Sequence, residues 1–583
     1  MKKKLILLFS ISTISLPAFC QTYITDVTVV DVEKQQLMPH QTVTITGDII
    51  TGIQSSEKIK IPASATIIDG KGKFLMPGMT DAHIHFFQSG GLYTRPDGLD
   101  LRKYRPYRDE INWLHNNMED LLRRYTQNGI TTVVDVGSTN HFLQQRDSFE
   151  NKSYAPYIHM TGPLITSFES PEFDSLKDDG PFSLVSTAEE GKKMVQQELP
   201  FHPDFIKVWY IVNEDTEDSI ETTAKKFEPV FKAIVSEAHK NNLKVAVHAT
   251  ERFTAQLAAE DGCDYLVHEV DDNLITDDFI QLLKTKNIIV CPTLIVEDGY
   301  DNTFGQRNNY SFYDLTKSNP EAIGSLMDLK HLPDTAYINK LKSWVNGRMS
   351  IDNHIDSVRM ANLKKMSDAG ITIVAGTDAG NTGTQHASSY ITELKDMKAA
   401  GMSNWQILRS ATINPAKIFN KENITGSIVV GKKADMILLD ANPVDSLDNL
   451  TKIALVFHKG AIIDPDTLIK ETPLALVERQ VNGFNARNMD AFLEPYSNDA
   501  QFYAFPDRPF DRPFIKGKEN MRKNYAQLFK IAPNLHCEIK QRIIQSNFII
   551  DKEHITGIDG PPVDGTVIYE IEDNKIKKAY FIQ

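Results

Sequence analysis

Six polar residues that end apolar segments are the part of this chain best suited to chemistry. They lie in DAHIHF, DFIKVWY, VAVHAT, YLVHEV and AGTDAG, and are His83, His85, Lys207, His248, His268 and Asp378. An HxH pair on a strand places both imidazoles on one face, because strand side chains alternate. Neutral imidazoles and carboxylates bind divalent metals. The set therefore indicates a metal centre, and its lysine needs a role because a lone ammonium is costly to bury.

The elements that must position these residues alternate between strand-like and helix-like patterns. Eight apolar segments fit buried strands: 78–84, 131–137, 157–162, 205–210, 244–250, 265–270, 288–294 and 372–380. Helical patterns lie between most of them, as at 109–129, 222–241 and 355–370. Strands buried on both faces are typical of parallel β/α repeats, and eight repeats predict an α/β fold of the TIM-type (β/α)8 class. An open doubly wound sheet is the competing fold, but no glycine-rich phosphate turn follows the first strand.

Each polar residue also has an ordinary structural interpretation. His248 and His268 could be hydrogen-bonded core histidines, Asp378 could cap a helix, and Lys207 could extend to solvent. Their joint position decides between the two interpretations. All six lie at the carboxyl ends of predicted barrel strands, where barrel enzymes place their active sites.

The rest of the chain predicts three further parts around the barrel, which is assigned to 76–420. Residues 21–75 and 421–470 alternate between apolar and polar positions, so we expect them to form one composite β-sandwich from both sides of the barrel. Residues 471–583 begin with an amphipathic helix and end in two alternating runs joined by EDNK, which predicts a separate α+β domain.

Two long segments exceed a minimal barrel, 87–108 and 297–350, and we expect both to shape the active site as loops. The first carries four arginines: Arg95, Arg102, Arg105 and Arg108. One of them could bind a substrate carboxylate through two hydrogen bonds. A solvated surface run is the alternative.

The composition restricts the class of protein, and the first residues indicate its cellular location. The chain has 583 residues and a net charge of −14, which excludes a basic nucleic-acid-binding face. Residues 1–20 have three lysines, a short apolar core and small residues before Gln21, as in a secretory signal peptide. We therefore expect secretion across the inner membrane to a periplasmic or extracellular location. Lipidation at Cys20 is disfavoured by the bulky Phe19.

The cysteines and the apolar runs exclude two further classes. Removal of the predicted signal peptide leaves Cys263, Cys291 and Cys537, which is no disulfide framework. No other apolar run is long enough to span a bilayer, so we expect no stable membrane insertion. We expect a small-molecule substrate, no nucleic acid and a homo-oligomer.

The motifs MPGMTDAHIHF, DFIKV, VAVHAT, DYLVHE and AGTDAG resemble those of the amidohydrolase superfamily. The resemblance covers residues 22–465 and is strongest to the branch that includes imidazolonepropionase and the Xaa-Pro dipeptidase-type metallo-hydrolases. The C-terminal segment resembles, in pattern only, the SnoaL-like branch of the NTF2-like fold, a cone of curved sheet with helices. That part is expected to be an accessory or dimerising domain.

The resemblance implies a centre with two divalent metal ions, for which imidazole-rich ligands suit zinc. His83 and His85 would bind one ion, His248 and His268 the other, and a carboxylated Lys207 would bridge them. Asp378 would bind the first ion and act as the catalytic residue that accepts the proton of a bridging hydroxide.

The expected function is an exported metal-dependent amidohydrolase that cleaves a C–N bond in an amide, dipeptide or cyclic amide. Two alternatives remain open, a lactonase or esterase that uses the same site, and a binding protein that captures a ligand in the C-terminal cone. HMTGPLIT stands where dipeptidase-type relatives often carry Gly-Gly-His, which puts dipeptide specificity in doubt. Trp209, Tyr210 and His386 follow predicted ligands closely and are candidate substrate contacts, with plain packing as the alternative.

Overall fold

The computed structural model describes residues 21–211, 219–351, 354–505 and 512–582. The predicted signal peptide 1–20 lies outside these described residues. The first strands mix buried and more exposed positions without the strict alternation that their sequence predicts. They are β1 (Gln21–Asp31), β2 (Gln36–Thr46), β3 (Ile49–Ser55), β4 (Thr66–Asp69) and β5 (Phe74–Pro77).

Parallel strands of the barrel follow. They are β6 (Met79–Ile84), β7 (Ile130–Asp135), β8 (Tyr157–Met160), β9 (Leu164–Thr166), β10 (Phe182–Leu184), β11 (Phe205–Trp209), β12 (Lys244–His248), β13 (Tyr265–Val267) and β14 (Ile289–Cys291). One run pairs in the order β6, β7, β8, and the other in the order β10, β9, β11, β12, β13, β14. The third barrel strand is thus split, since β8 pairs with β7 and β9 pairs with β11.

The predicted eighth strand closes the barrel through isolated bridges in place of a continuous ladder. Ile373 bridges Val290 of β14, and Ala379 bridges Ile84 of β6, both in parallel. Between these bridges the amide of Ala82 donates to the carbonyl of Ala375 at 2.9 Å. The predicted α/β barrel is confirmed, and its last strand is irregular where Asp378 turns away.

Helices cover the outside of the barrel and its upper rim. They are α1 (Tyr107–Gln127), α2 (Asn140–Arg146), α3 (Ala188–Glu198), α4 (Ile220–Lys240), α5 (Arg252–Glu260), α6 (Asp277–Lys286), α7 (Ile295–Phe304), α8 (Phe312–Lys317), α9 (Pro320–Leu326), α10 (Thr335–Ile351), α11 (His354–Asp368), α12 (Tyr390–Ala399), α13 (Asn404–Ser410) and α14 (Ile413–Ala416). The predicted helices at 109–129, 222–241 and 355–370 correspond to α1, α4 and α11. The expected loop 297–350 is instead built largely of α7 to α10, since capping residues such as Ser311 and Asn319 start short helices there.

The two flanks of the barrel join in one sheet. After the barrel come β15 (Met436–Leu439), β16 (Ile453–His458) and β17 (Ala461–Ile463). The order is β17, β16, β15, β5, β1, β2, β3, with β4 also paired to β1. The expected composite sandwich therefore takes the form of a continuous eight-stranded sheet, in which antiparallel pairing of β5 with β15 joins the two ends.

A separate α+β domain ends the chain. It contains α15 (Pro473–Asn485), α16 (Met489–Leu493), β18 (Tyr496–Phe505), β19 (Ile515–Lys516), α17 (Lys518–Ile531), β20 (His536–Gln545), β21 (Phe548–Thr556), β22 (Val563–Glu572) and β23 (Lys575–Ile582). The sheet order is β19, β18, β23, β22, β21, β20, and the predicted EDNK turn joins β22 to β23. Its helix α15 packs on α9, where the side-chain amide of Asn482 donates to the carbonyl of Pro320 at 2.7 Å.

In the described part of the chain, the helices are all too short or too polar to cross a membrane.

Candidate metal centre

Three side chains converge at the mouth of the barrel. His83 and His85 project from β6 and its end, and Asp378 lies at the end of the eighth barrel segment. Asp378 Oδ1 is 3.2 Å from His83 Nε2 and 3.1 Å from His85 Nε2. The two Nε2 atoms are 3.3 Å apart. All three residues are buried, so their ligand atoms face one another and are largely shielded from water.

The donor set and its spacing fit a divalent metal ion. Two ligand atoms bound to one zinc ion at about 2.1 Å lie roughly 3.3 Å apart when the angle is tetrahedral. Asp378 Oδ1 and His83 Nδ1 are buried without a hydrogen-bond partner among the described residues. A buried carboxylate oxygen in that state is costly unless a cation pairs with it.

Hydrogen bonds fix the orientation of the imidazoles. His85 Nδ1 donates to the carbonyl of Gly137 at 2.7 Å, which leaves the lone pair of Nε2 directed at Asp378. His268 Nδ1 lies 2.7 Å from the hydroxyl oxygen of Thr293. Such outer contacts hold the ring of a metal ligand in place.

The imidazoles beside Asp378 favour its ionised form. Burial alone would raise the pKa of Asp378, but the adjacent rings of His83 and His85 hold that pKa well below its ordinary value. Burial lowers the pKa of His83 to about 3, so this imidazole is neutral at pH 7 and can act as a ligand. The centre therefore combines neutral nitrogen ligands with one carboxylate.

The remaining predicted ligands lie across the same cavity. Lys207, His248 and His268 join His85 and Asp378 in lining a cavity of about 300 Å³. The ring of His268 lies between those of His83 and His248, with centroids at 4.8 and 4.4 Å. The structure thus gathers all six predicted residues in one region, although the ligand atoms that meet closely are those of His83, His85 and Asp378.

Lys207 is the most unusual member of this group. Its side chain is 1% exposed, and it makes no hydrogen bond or ion pair with any residue in the described ranges. Burial lowers its pKa from 10.5 to about 7, with the charge of Asp378 opposing the shift. A neutral amine is therefore well populated near pH 7.

Backbone strain concentrates at the same place. Thr293, His268 and Asp378 have positive φ angles of 51°, 69° and 58°. Non-glycine residues rarely adopt this conformation, and β-branched threonine does so least readily. Hydrogen bonds hold the turns, for example from the Asp378 amide to the carbonyl of His83 at 2.8 Å. Strain of this kind clusters at functional sites.

One supporting carboxylate was missed from the sequence. Asp81 is fully buried and accepts hydrogen bonds from the amide and hydroxyl of Thr377, at 3.0 and 2.8 Å. These hydrogen bonds join β6 to the segment that carries Asp378. Strand alternation could have found it, because residues 81, 83 and 85 share one face of β6.

The three candidate substrate residues have different positions. Trp209 lines the cavity and stacks on Phe182, with ring centroids 5.0 Å apart. Tyr210 points away from the cavity, and its hydroxyl donates to the carbonyl of Ala224 in α4 at 2.8 Å. His386 is buried behind the centre, between the hydroxyl of Tyr125 and the carbonyl of Gln88, each 2.8 Å from a ring nitrogen.

Tyr210 and His386 therefore have structural roles, since each contacts neighbouring parts of the barrel. No described contact places either residue at the cavity. Alternation along β11 accounts for Tyr210, because Lys207 and Trp209 occupy the inward face and the next residue must point outward. His386 supports the backbone that follows His85.

The four arginines of 87–108 also lie in different surroundings. Arg95 lines the cavity, but both edges of its guanidinium are engaged, with Asp97 on one side and the oxygens of Tyr300 and Asn381 on the other. Arg102 pairs with Asp100. The remaining two also lie outside the cavity lining: Arg105 and Arg108.

With the site described, comparison with known proteins decides the family. Residues 74–464 match the amidohydrolase family, and residues 477–579 match the SnoaL-like domain. The chain belongs to the amidohydrolase family. It is a metal-dependent hydrolase of the amidohydrolase superfamily with an HxH/Asp metal-binding group and an appended SnoaL-like domain. The resemblance inferred from the sequence motifs is confirmed at this level.

Individual relatives are distant. An imidazolonepropionase from Alkaliphilus metalliredigens is 22% identical and covers 74% of this chain and 94% of the relative. A guanine deaminase from Escherichia coli is also 22% identical and covers 68% and 81%. The solved structure of a Xaa-Pro dipeptidase with bound methionine has a TM-score of 0.58 at 20% identity and covers 76% and 100%. These similarities support the fold and leave the substrate open.

Proposed function

We propose that this amidohydrolase is an exported hydrolase that holds two divalent metal ions and cleaves a C–N bond in an amide, dipeptide or cyclic amide. The observation that carries the proposal is the meeting of His83, His85 and Asp378 within about 3.3 Å, at a cavity that Lys207, His248 and His268 also line. His83, His85 and Asp378 would hold one ion, and His248 and His268 the other.

Lys207 would link the two groups of ligands as a carbamate. Its burial and lowered pKa supply a neutral amine, which can attack CO2 to form an N–C bond with release of one proton. The product is an anion with two oxygens, and it would replace an unpaired ammonium that has no counter-ion within hydrogen-bond distance. Carboxylation therefore turns an unfavourable buried group into a ligand.

The residues of the chain suggest how proton transfer is arranged. When bound, the metal ions would lower the pKa of a water molecule and polarise the scissile carbonyl. Asp378 Oδ1 faces His83 and His85, whereas Oδ2 lies 3.9 Å from His268 Nδ1. Oδ2 is therefore the oxygen placed to accept a proton and return it to the leaving group.

Amide and ester bonds are both candidates for cleavage at this centre. The curated relatives are named for different activities, an imidazolonepropionase and a guanine deaminase. An ester or lactone carbonyl would suit the same centre, so a lactonase is the second candidate. The binding-protein alternative is disfavoured, because aromatic side chains fill the core of the C-terminal domain: Phe484, Phe492, Tyr496, Phe502, Tyr525 and Phe529.

Metal content per chain tests the proposal first. Elemental analysis of the purified mature protein should give about two metal ions, and Lys207→Ala should lose metal. Lys398→Ala, an exposed position on α12, is the matched control and should retain it. One ion that is indifferent to Lys207 would contradict the binuclear centre. The identity of the metal, expected to be zinc, is read from the same measurement.

Turnover tests the role of Asp378. Asp378→Asn should lower kcat by about 10²–10⁴-fold on any substrate found among amides, dipeptides, cyclic amides and lactones. Wild-type rates in this variant would contradict the assignment.

N-terminal sequencing of protein from the periplasmic and extracellular fractions tests export, with Gln21 as the expected first residue. The oligomeric state stays a prediction that light scattering can decide.

A further inference from the structure

One wall of the metal cavity carries three carboxylates without protein partners. Glu269 and Asp271 follow β13, and Glu297 lies in the first turn of α7. Their side chains make no hydrogen bond or ion pair with other residues in the described ranges. These three residues are called the acidic wall below.

Glu269 shows that the acidic wall is incomplete without a ligand. The residue is 2% exposed, and both of its carboxylate oxygens are buried without a hydrogen-bond partner among the described side chains and backbone. A buried carboxylate in this state is costly unless it is paired. Because Glu269 lines the cavity, the missing partner can reach it from there.

The arginine side chains nearby do not balance the acidic wall. Arg359 also lines the cavity, but one edge of its guanidinium is bound to Asp356 at 2.8 Å, and its Nε makes no hydrogen bond among the described residues. One guanidinium thus faces the three carboxylates and Asp356. Arg95, the other cavity arginine, is engaged by Asp97.

Burial shifts the titration of the acidic wall toward the neutral acids. Burial raises the pKa of Asp271 to about 6, and Arg359 only partly offsets this shift. The pKa of Glu297 is raised for the same reason. A cation in the cavity would favour the ionised form of both groups.

Another part of the cavity wall is apolar. Leu164, Phe182 and Trp209 line it from the third and fourth barrel strands and the segment between them. The acidic wall follows the sixth and seventh strands, so the two walls lie two to four strands apart around the ring of eight. The cavity at the centre formed by His83, His85 and Asp378 thus has both an apolar wall and the acidic wall.

From this arrangement we infer that the substrate carries a cationic nitrogen, an ammonium or guanidinium group, which the acidic wall binds, and an apolar group that contacts the apolar part of the cavity wall. The inference rests on the proposed hydrolase function, since it describes the substrate of that same cavity. Glu269, Asp271 and Glu297 are then specificity residues, each of which would accept charge-assisted hydrogen bonds.

Binding of two matched probes tests the inference without turnover. The n-butylguanidinium ion and neutral n-butylurea have nearly the same shape and differ in charge. Calorimetry on the metal-loaded mature protein should show guanidinium binding at least about tenfold tighter, because charge-assisted hydrogen bonds to carboxylates are stronger than neutral ones. Glu297→Gln and Asp271→Asn should each reduce that preference severalfold.

Asp298→Asn is the control, since Asp298 is exposed beside Glu297 and does not line the cavity. It should leave the preference intact. Equal or tighter binding of butylurea, binding of neither probe, or an equal loss in Asp298→Asn would each overturn the inference.

Hydrolysis separates this inference from the proposed function. Dipeptides that carry arginine or neutral citrulline at the same position should be cleaved with a higher kcat/KM for arginine, and Glu297→Gln should narrow the difference. Cleavage that favours citrulline overturns the inference and leaves the hydrolase function standing. Cleavage of neither, by protein shown to contain metal, counts against the proposed function, while the probe binding still decides the inference.

Discussion

Replacement of Lys207 by methionine should stabilise the metal-free protein. Methionine has a similar length and no charge, and Lys207 is 1% exposed without a protein partner in the described ranges. Burial lowers the pKa of this lysine from 10.5 to about 7. The folded state therefore binds fewer protons than the unfolded state between these two values, so the lysine destabilises the fold below pH 10.5, and most strongly below pH 7.

The size of the effect follows from the shift. A difference of 10.5 − 7 = 3.5 pKa units corresponds to about 5 kcal/mol at 1.36 kcal/mol per unit. The penalty is fully present below pH 7, falls to about 3 kcal/mol near pH 8.5 and disappears as pH approaches the unfolded value of 10.5. Lys207→Met should remove it, so the variant's advantage in free energy of unfolding should shrink as pH rises.

Urea unfolding of chelator-treated protein in CO2-free buffer, from pH 6 to 10, measures this difference. Lys398→Met on the exposed face of α12 is the matched control and should change stability by no more than about 0.5 kcal/mol at any pH. A Lys207→Met variant that is less stable than wild type, or equally shifted at pH 6 and pH 10, would refute the reasoning. With bicarbonate and metal present the order should reverse, because only lysine can form the carbamate.

Two further substitutions test how the centre is held. Gly376→Ala should destabilise the fold by about 1–3 kcal/mol in urea unfolding, since a Cβ there would lie 2.5 Å from Cys291 Sγ and 2.6 Å from the His83 amide nitrogen. Gly347→Ala in α10 is the control and should not destabilise, because no described atom beyond its own helix backbone and chain neighbours lies within 4 Å of the added Cβ. Thr293→Val keeps the shape of the side chain but removes the oxygen 2.7 Å from His268 Nδ1, so metal affinity measured by chelator competition should fall about 10–100-fold, and unchanged affinity would show that this contact does not orient the ring.

The sequence predicted the barrel and the gathering of six polar residues because both follow from local patterns. Apolar strands that carry His85, Lys207 or His248 at or near their carboxyl ends bring these residues together, since parallel barrel strands end on the same rim. Alternation also separates Trp209 from Tyr210, although adjacency in the chain had suggested that both contact substrate.

Long-range packing explains what the sequence did not reveal. Arg359 reaches the cavity from α11, and nothing in its surrounding helix distinguishes it from a surface arginine. The role of Glu269 depends on the absence of a partner, which is visible only when the neighbours are known. In the insertion 297–350, which we expected to be a loop, α8 and α9 are too short for a clear helical period. The longer α10 lacks a strong apolar face, so its sequence pattern did not predict a helix either.

The pairing of β5 with β15 has a consequence for the order in which this protein can form. Leu75 pairs with Leu438, so the two strands are 363 residues apart (438 − 75). At a synthesis rate of about 5–20 residues per second, the first strands wait roughly 20–70 s for their partner. During that time the apolar faces around Val29 and Leu75 lack the side chains of Met436 and Leu438 that bury them. The sheet that flanks the barrel therefore cannot mature until most of the chain has left the ribosome, and holdase chaperones have that interval in which to bind it.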